Sequence, residues 1–109
     1  MRRHEVRLSS DAEIDLLEIR DYIAENDSPE KADYVLGRVL EMVDSLEALP
    51  HRGSHPRELL AMGHDEYRQV FFKPYRIVYF VDEATVHILL IADGRRDLRM
   101  LLEQRLFGA

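Results

Sequence analysis

Three runs of β-prone residues, separated by turns too short to hold a crossover, constrain this chain more than any other feature. They are EYRQVFFK (66–73), YRIVYFVD (75–82) and TVHILLIA (85–92), dominated by Val, Ile, Phe and Tyr. Lys73-Pro74 and Asp82-Glu83-Ala84 leave room only for tight reversals, so the spacing predicts an antiparallel meander. Alternation along the middle run puts Tyr75, Ile77, Tyr79 and Val81 on one face, which assigns both tyrosines to core packing. A small sheet with one apolar face needs a cover.

The first half of the chain supplies that cover. HEVRL (4–8) reads as a short strand running into Ser9-Ser10. Ser10 with Glu13 forms an S-x-x-E capping box, and Asp11, Glu13 and Asp15 lie where the positive end of a helix dipole favours acids. Ile14, Leu17, Ile19, Tyr22 and Ile23 follow at helical spacing to about Glu25, and Asn26-Asp27 ends the helix. Ser28-Pro29 opens a second helix, with serine as N-cap and proline at the first position, where its missing N–H costs nothing. Ala32, Leu36, Val39, Leu40, Val43 and Leu46 give it an apolar stripe that stops before Pro50. So short a joint makes the pair an antiparallel hairpin. The segment 50–64, PHRGSHPRELLAMGH, reads as a loop. Gly94 ends the last strand, and Leu98, Leu101, Leu102 and Leu106 mark a short terminal helix that packs back on the sheet or leaves it for a partner. The expectation is one α+β domain over 1–109, in the order β-α-α-β-β-β-α.

Composition narrows the function. At 46% hydrophobic and 33% charged, the chain suits a globular domain and not a disordered one. No apolar run reaches the roughly 18 residues of a membrane helix. MRRHEVRLSS starts basic without an apolar core behind it, so no signal peptide is expected. The absence of cysteine removes disulfides and thiolate zinc sites and fits a reducing cytoplasm. The net charge of −6 is uneven, with 13 acids against 6 Lys+Arg in residues 1–50 and 8 against 9 in residues 51–109. Broad nucleic-acid binding normally shows an excess of Lys and Arg, because phosphate neutralisation supplies most of the affinity. Here only a small arginine cluster is on offer, and no recognition-helix signature accompanies it.

The cluster comprises Arg68, Arg76, Arg95 and Arg96, on or beside the strands. Read from the residues alone, these are a phosphate grip, a protein contact surface or solvated charges paired with acids of the hairpin. His51, His55 and His64 match no tight metal-ligand spacing, and His87 reads as a packed strand residue. No Gly-rich phosphate loop, Ser-His-Asp arrangement or H-E-x-x-H occurs, and no cofactor or metal is expected.

The sequence EYRQVFF, then PYRIVYFVDEATVHIL, then GRRDL resembles the ParE/RelE superfamily of bacterial toxins over nearly the whole chain. The resemblance implies a small toxin paired with a ParD-like antitoxin in a hetero-oligomer. RelE-like members cleave messenger RNA in the ribosome, whereas ParE-like members bind DNA gyrase. In the RelE pattern, Arg68 matches the first basic residue of the second strand, Arg76 the third-strand arginine and Arg96 the arginine after the fourth. Val70 stands where a second basic residue belongs, Leu102 stands near the place of a proton-transferring tyrosine, and no tyrosine follows Tyr79. A nuclease of this type needs cations on the scissile phosphate and a group that moves protons; none of the five histidines falls in the terminal segment. GRRDL is more typical of the ParE-like side. The expectation is therefore a gyrase-binding toxin, with Arg76, Arg95, Arg96, Leu98 and Leu102 as contact candidates for gyrase or antitoxin. The alternatives are a ribosome-dependent endoribonuclease using Arg68, Arg76 and Arg96, and a member that has lost toxicity and survives as an antitoxin-binding partner.

Overall fold

The computed structural model describes residues 3–108; the basic pair at the start of the chain lies outside them in part. Strand β1 (Glu5–Leu8) leads into helices α1 (Ser10–Asn26) and α2 (Pro29–Asp44), a 3-10 turn at Ser45–Glu47, and a short helix α3 (Arg57–Ala61). Strands β2 (Tyr67–Phe72), β3 (Tyr75–Asp82) and β4 (Thr85–Asp93) follow, then helix α4 (Arg99–Phe107). The segment expected to be all loop thus contains α3. The sheet order is β1-β4-β3-β2. The meander pairs antiparallel with Phe72 opposite Tyr75 and Asp82 opposite Thr85. Strand β1 joins β4 in parallel, from Glu5 opposite Thr85 to Leu8 opposite Ile88. The α+β architecture expected from the sequence is the one observed.

Helix α1 departs from expectation at its start and along its face. Ser9, not Ser10, is the N-cap: its N–H still donates to Ile88 C=O at 3.0 Å, so the strand pairing holds it extended, and its Oγ accepts from Ala12 N–H at 3.1 Å. With Ala12 three residues on, no capping box forms. The buried face is Ala12, Leu16 and Ile23, with Ile19 half-buried, whereas Ile14, Leu17 and Tyr22 are exposed. The face is set by packing against α2 and β4, not by the largest side chains. Helix α2 keeps its Ser28 cap and Pro29 start. It buries Ala32, Val35, Val39 and Val43 while Leu40 is turned outward.

The hairpin packs on the sheet face that carries Val70, Ile77, Tyr79, Val86, Ile88 and Ile91, and the two tyrosines of β3 lie on it as expected. The opposite face, Val78, Leu90 and Ala92, is covered by Leu59 of α3 and by Leu98 and Leu102 at and within α4. Both faces can be filled because the register slips one residue between Val78 and Tyr79, with Leu90 opposite Val78 but Ile88 opposite Tyr79. That bulge leaves Leu89 as the extra residue of β4.

Candidate functional site

Arg76 lies on β3 opposite Phe71 and Ala92, two residues from Val78, and so points to the face covered by α3 and α4. It is buried, 9% exposed. A buried guanidinium requires a carboxylate and filled donors, and the neighbourhood supplies both. Glu58 of α3 takes Nη1 at 2.7 Å and Nη2 at 2.9 Å, while Gln69 Oε1 on β2 takes Nε at 2.9 Å and Nη2 at 2.6 Å. The hydrogen bonds from Arg76 hold the Glu58 carboxyl below the ordinary carboxylate range, against the opposing effect of burial. Gly94 is packed against this arginine: a Cβ there would sit 2.7 Å from Arg76 Cγ and 2.8 Å from Cδ. Arg57, Phe71 and these residues line an open groove of about 430 Å³.

Arg68 faces the other way. It lies opposite Tyr79, on the hairpin side, and its Nη1 donates to the carbonyls of His51 (3.1 Å) and Gly53 (2.8 Å). It is a tie for the 50–54 loop, together with Tyr79, whose hydroxyl donates to Pro50 C=O at 2.8 Å and accepts from Gly53 N–H at 3.1 Å. Neither Arg68 nor Arg76 is paired with an acid of the hairpin, contrary to one of the sequence readings. Because they lie on opposite faces of the sheet, they cannot hold one phosphate between them.

Arg95 and Arg96 follow β4 at a second groove, of about 450 Å³, bounded by Tyr22 of α1, Tyr75, Asp93 and Leu101. Asp93 holds Arg95 through Nη2 at 2.6 Å and through its backbone N–H at 2.9 Å, and the Arg95 hydrogen bond lowers the pKa of Asp93. Burial, then the neighbouring Asp93, raises that of Tyr75. Arg96 is exposed, and its backbone N–H reaches Asp93 C=O at 3.2 Å. Among the described residues its guanidinium is paired with no carboxylate. The groove beside Arg76 contains neither Arg68 nor Arg96.

Leu98 and Leu102, expected as contact candidates, are interior residues, 1% and 0% exposed. The reason is that α4 packs back on Val78, Leu90 and Ala92; it turns Met100 and Phe107 outward instead. The histidines are dispersed. His55 Nδ1 meets Tyr67 C=O at 2.9 Å, His64 stacks on Phe107 and His87 stacks on Phe80. Among the described residues no three side chains of metal-binding type converge. Sequence reasoning missed Glu58 and Gln69, whose only advance signal is that a buried strand arginine needs an anion nearby.

The sequence model described as "ParE toxin of type II toxin-antitoxin system, parDE" matches residues 6–98. Among solved structures, the chain is similar to a chain of the chromosomal ParDE toxin–antitoxin system from P. aeruginosa, at TM-score 0.70 and 20% identity, over 84% of this chain and 96% of that one. It is also similar to a chain of the RelBE2 toxin–antitoxin complex from Mycobacterium tuberculosis, at TM-score 0.60 and 24% identity, over 84% and 98%. No curated protein matches. The chain belongs to the ParE toxin family of type II toxin–antitoxin systems.

Proposed function

We propose that this ParE-family toxin acts in the cytoplasm by binding DNA gyrase, with no bond-breaking chemistry of its own, and that a ParD-like antitoxin neutralises it. One observation carries the first part. Arg76, the arginine best placed for a phosphate, is taken up by Glu58 and Gln69, while Arg68 is bound to loop carbonyls on the opposite face. Phosphoryl chemistry on RNA needs free cations and a proton-moving group converging on one phosphate. In this groove the Arg76 guanidinium is already filled, the Glu58 carboxylate is held ionised against it, and Arg57 on the wall is left as a lone second cation. Arg96, exposed beside Tyr22 and Tyr75 and paired with no carboxylate among the described residues, is available to a macromolecular partner.

An antitoxin partner is supported by the two similar structures, both of toxin–antitoxin systems. It is also consistent with apolar side chains left outward on the hairpin, Ile14, Leu17 and Tyr22 on α1 and Tyr34 and Leu40 on α2. An amphipathic segment laid across them would bury that surface. A supercoiling assay with purified gyrase tests the proposal. Inhibition with accumulation of cleaved DNA, reversed by the antitoxin, is the expected result. Codon-dependent cutting of ribosome-bound message by the purified chain would overturn it.

A further inference from the structure

Arg76 presents the flat donor fork on which phosphate sites are built, yet a carboxylate of the same chain already fills it. The two oxygens of Glu58 sit on Nη1 and Nη2 at 2.7 and 2.9 Å, the two-pronged position that two phosphate oxygens would occupy. The rest of the groove suits a phosphate. Arg57 adds a second cation on its wall, Gln69 orients the guanidinium, and Gly94 leaves the arginine stem room to lie where it does. Its volume of about 430 Å³ is ample for the anion.

We infer that Glu58 sets the ligand class of this groove: its carboxylate stands in for a phosphate at Arg76, and removing that one charge opens the groove to inorganic phosphate and phosphodiesters. Glu58 is thus a specificity-determining residue, acting by exclusion. A phosphate that approached the intact pair would meet the Glu58 carboxylate at the fork and would have to desolvate with only Arg57, on the exposed wall, left to pair it. A glutamine at position 58 keeps the size and one acceptor oxygen but leaves the guanidinium uncompensated, and an uncompensated buried cation recruits an anion. The inference shares with the gyrase proposal the filled fork at Arg76, but it is read from phosphate response and the proposal from gyrase inhibition, so the failure of one is told apart from the failure of the other.

The test compares the wild type, E58Q and the double variant E58Q/R76Q by thermal unfolding in sodium phosphate and in sodium chloride of matched ionic strength at neutral pH. Phosphate stabilises proteins generally by exclusion from their surface, so the readout is the excess over wild type. E58Q is expected to unfold below wild type in chloride and to recover most of that loss in phosphate along a saturating curve. The Gln69 and Gly94 amide signals should shift in E58Q alone, and E58Q/R76Q should show only the wild-type salt response. Equal phosphate responses in wild type and E58Q would overturn the inference, as would an E58Q-like response in the double variant. Should E58Q not fold in chloride, folding in phosphate supports the inference and failure in both overturns it.

Discussion

Arg105 of α4 and Asp15 of α1 close a two-pronged ion pair around the edge of the sheet, Nη1 to Oδ2 at 2.9 Å and Nη2 to Oδ1 at 3.0 Å. The helices they join cover opposite faces. The pair stands where β1 runs out: Leu8 is its last residue opposite β4, at Ile88, and beyond it the β4 backbone lacks a strand partner on that side. Asp15 Oδ2 accepts from Ile91 N–H at 2.9 Å, and Arg105 Nη1 donates to Leu89 C=O at 2.9 Å. Two side chains therefore complete the strand edge at its bulge and fasten α4 to the hairpin. Hydrogen bonding to Asp15 raises the pKa of Arg105, so the cation persists over the whole working pH range.

Removing either member leaves the other's charge largely buried, since the side chains are 12% and 16% exposed. Asp15→Ala and Arg105→Ala should each cost about 3 kcal/mol, the lower end of the range for a broken buried pair. The double variant should cost clearly less than the sum. Urea unfolding of the four proteins checks this through midpoint shifts at constant slope. Additive losses would mean that the two residues act independently.

Tyr79 makes a second test of the core. It is fully buried, and its hydroxyl satisfies Pro50 C=O and Gly53 N–H together. Tyr79→Phe leaves both backbone groups unpaired and should cost about 1–3 kcal/mol. Burial raises the phenol's pKa above its usual 10.0, so the folded chain holds this proton more tightly than the unfolded one. The resulting stability is full below about pH 10 and is lost as pH rises through the folded value. Stability curves from neutral to strongly alkaline pH should therefore fall less steeply in Tyr79→Phe than in wild type, with Tyr67 and Tyr75 retaining part of the slope because their pKa values are also raised.

The strands and their turns are legible in the sequence because period-two alternation and reversal residues act locally, and β3 runs over the residues expected. What could not be read depends on contacts distant in the chain. The register of β1 against β4 moves the cap from Ser10 to Ser9. Packing of α1 against both α2 and β4 sets the phase of the helix, so Ala12 is buried and Ile14 is left exposed. Arg76 was legible as an important position, but its partner lies 18 residues away in a segment that Gly, Pro and His made look like loop. The Asp15–Arg105 pair spans 90 residues and carries no local signal. Leu98 and Leu102 had the right spacing for a buried face; only the packing of α4 on β4 decides that they are buried in this chain.

Glu58 gives a pH dependence of opposite sign to the tyrosine. Its folded pKa lies below the usual 4.5 because Arg76 donates to it. The stability it contributes is present above the unfolded value and lost as pH falls through the folded one. At neutral pH, E58Q in chloride should be less stable than wild type by about 1–3 kcal/mol, the worth of hydrogen bonds to a charged group. Below about pH 4 the gap should close as the wild-type carboxyl takes up its proton. Thermal unfolding in dilute buffers from pH 7 to pH 3 measures it. A gap that stayed constant to the acid end would show that the charge on Glu58 is not what holds Arg76.

Arg96 separates binding from folding. Its side chain is exposed and paired with no carboxylate among the described residues, so Arg96→Ala should leave stability within about 0.5 kcal/mol of wild type. Loss of an exposed arginine from a protein contact costs about 1–2 kcal/mol, which predicts gyrase inhibition weakened roughly 5- to 30-fold but still present. Arg76→Ala should behave differently. It strands the Glu58 carboxylate in a half-buried site, lowers stability, and loses inhibition only as far as folded protein is lost. Supercoiling titrations normalised to folded protein distinguish the two. Should Arg76→Ala weaken inhibition at full folding while Arg96→Ala does not, the gyrase-facing surface would be the groove under α3 and not the one beside Tyr22.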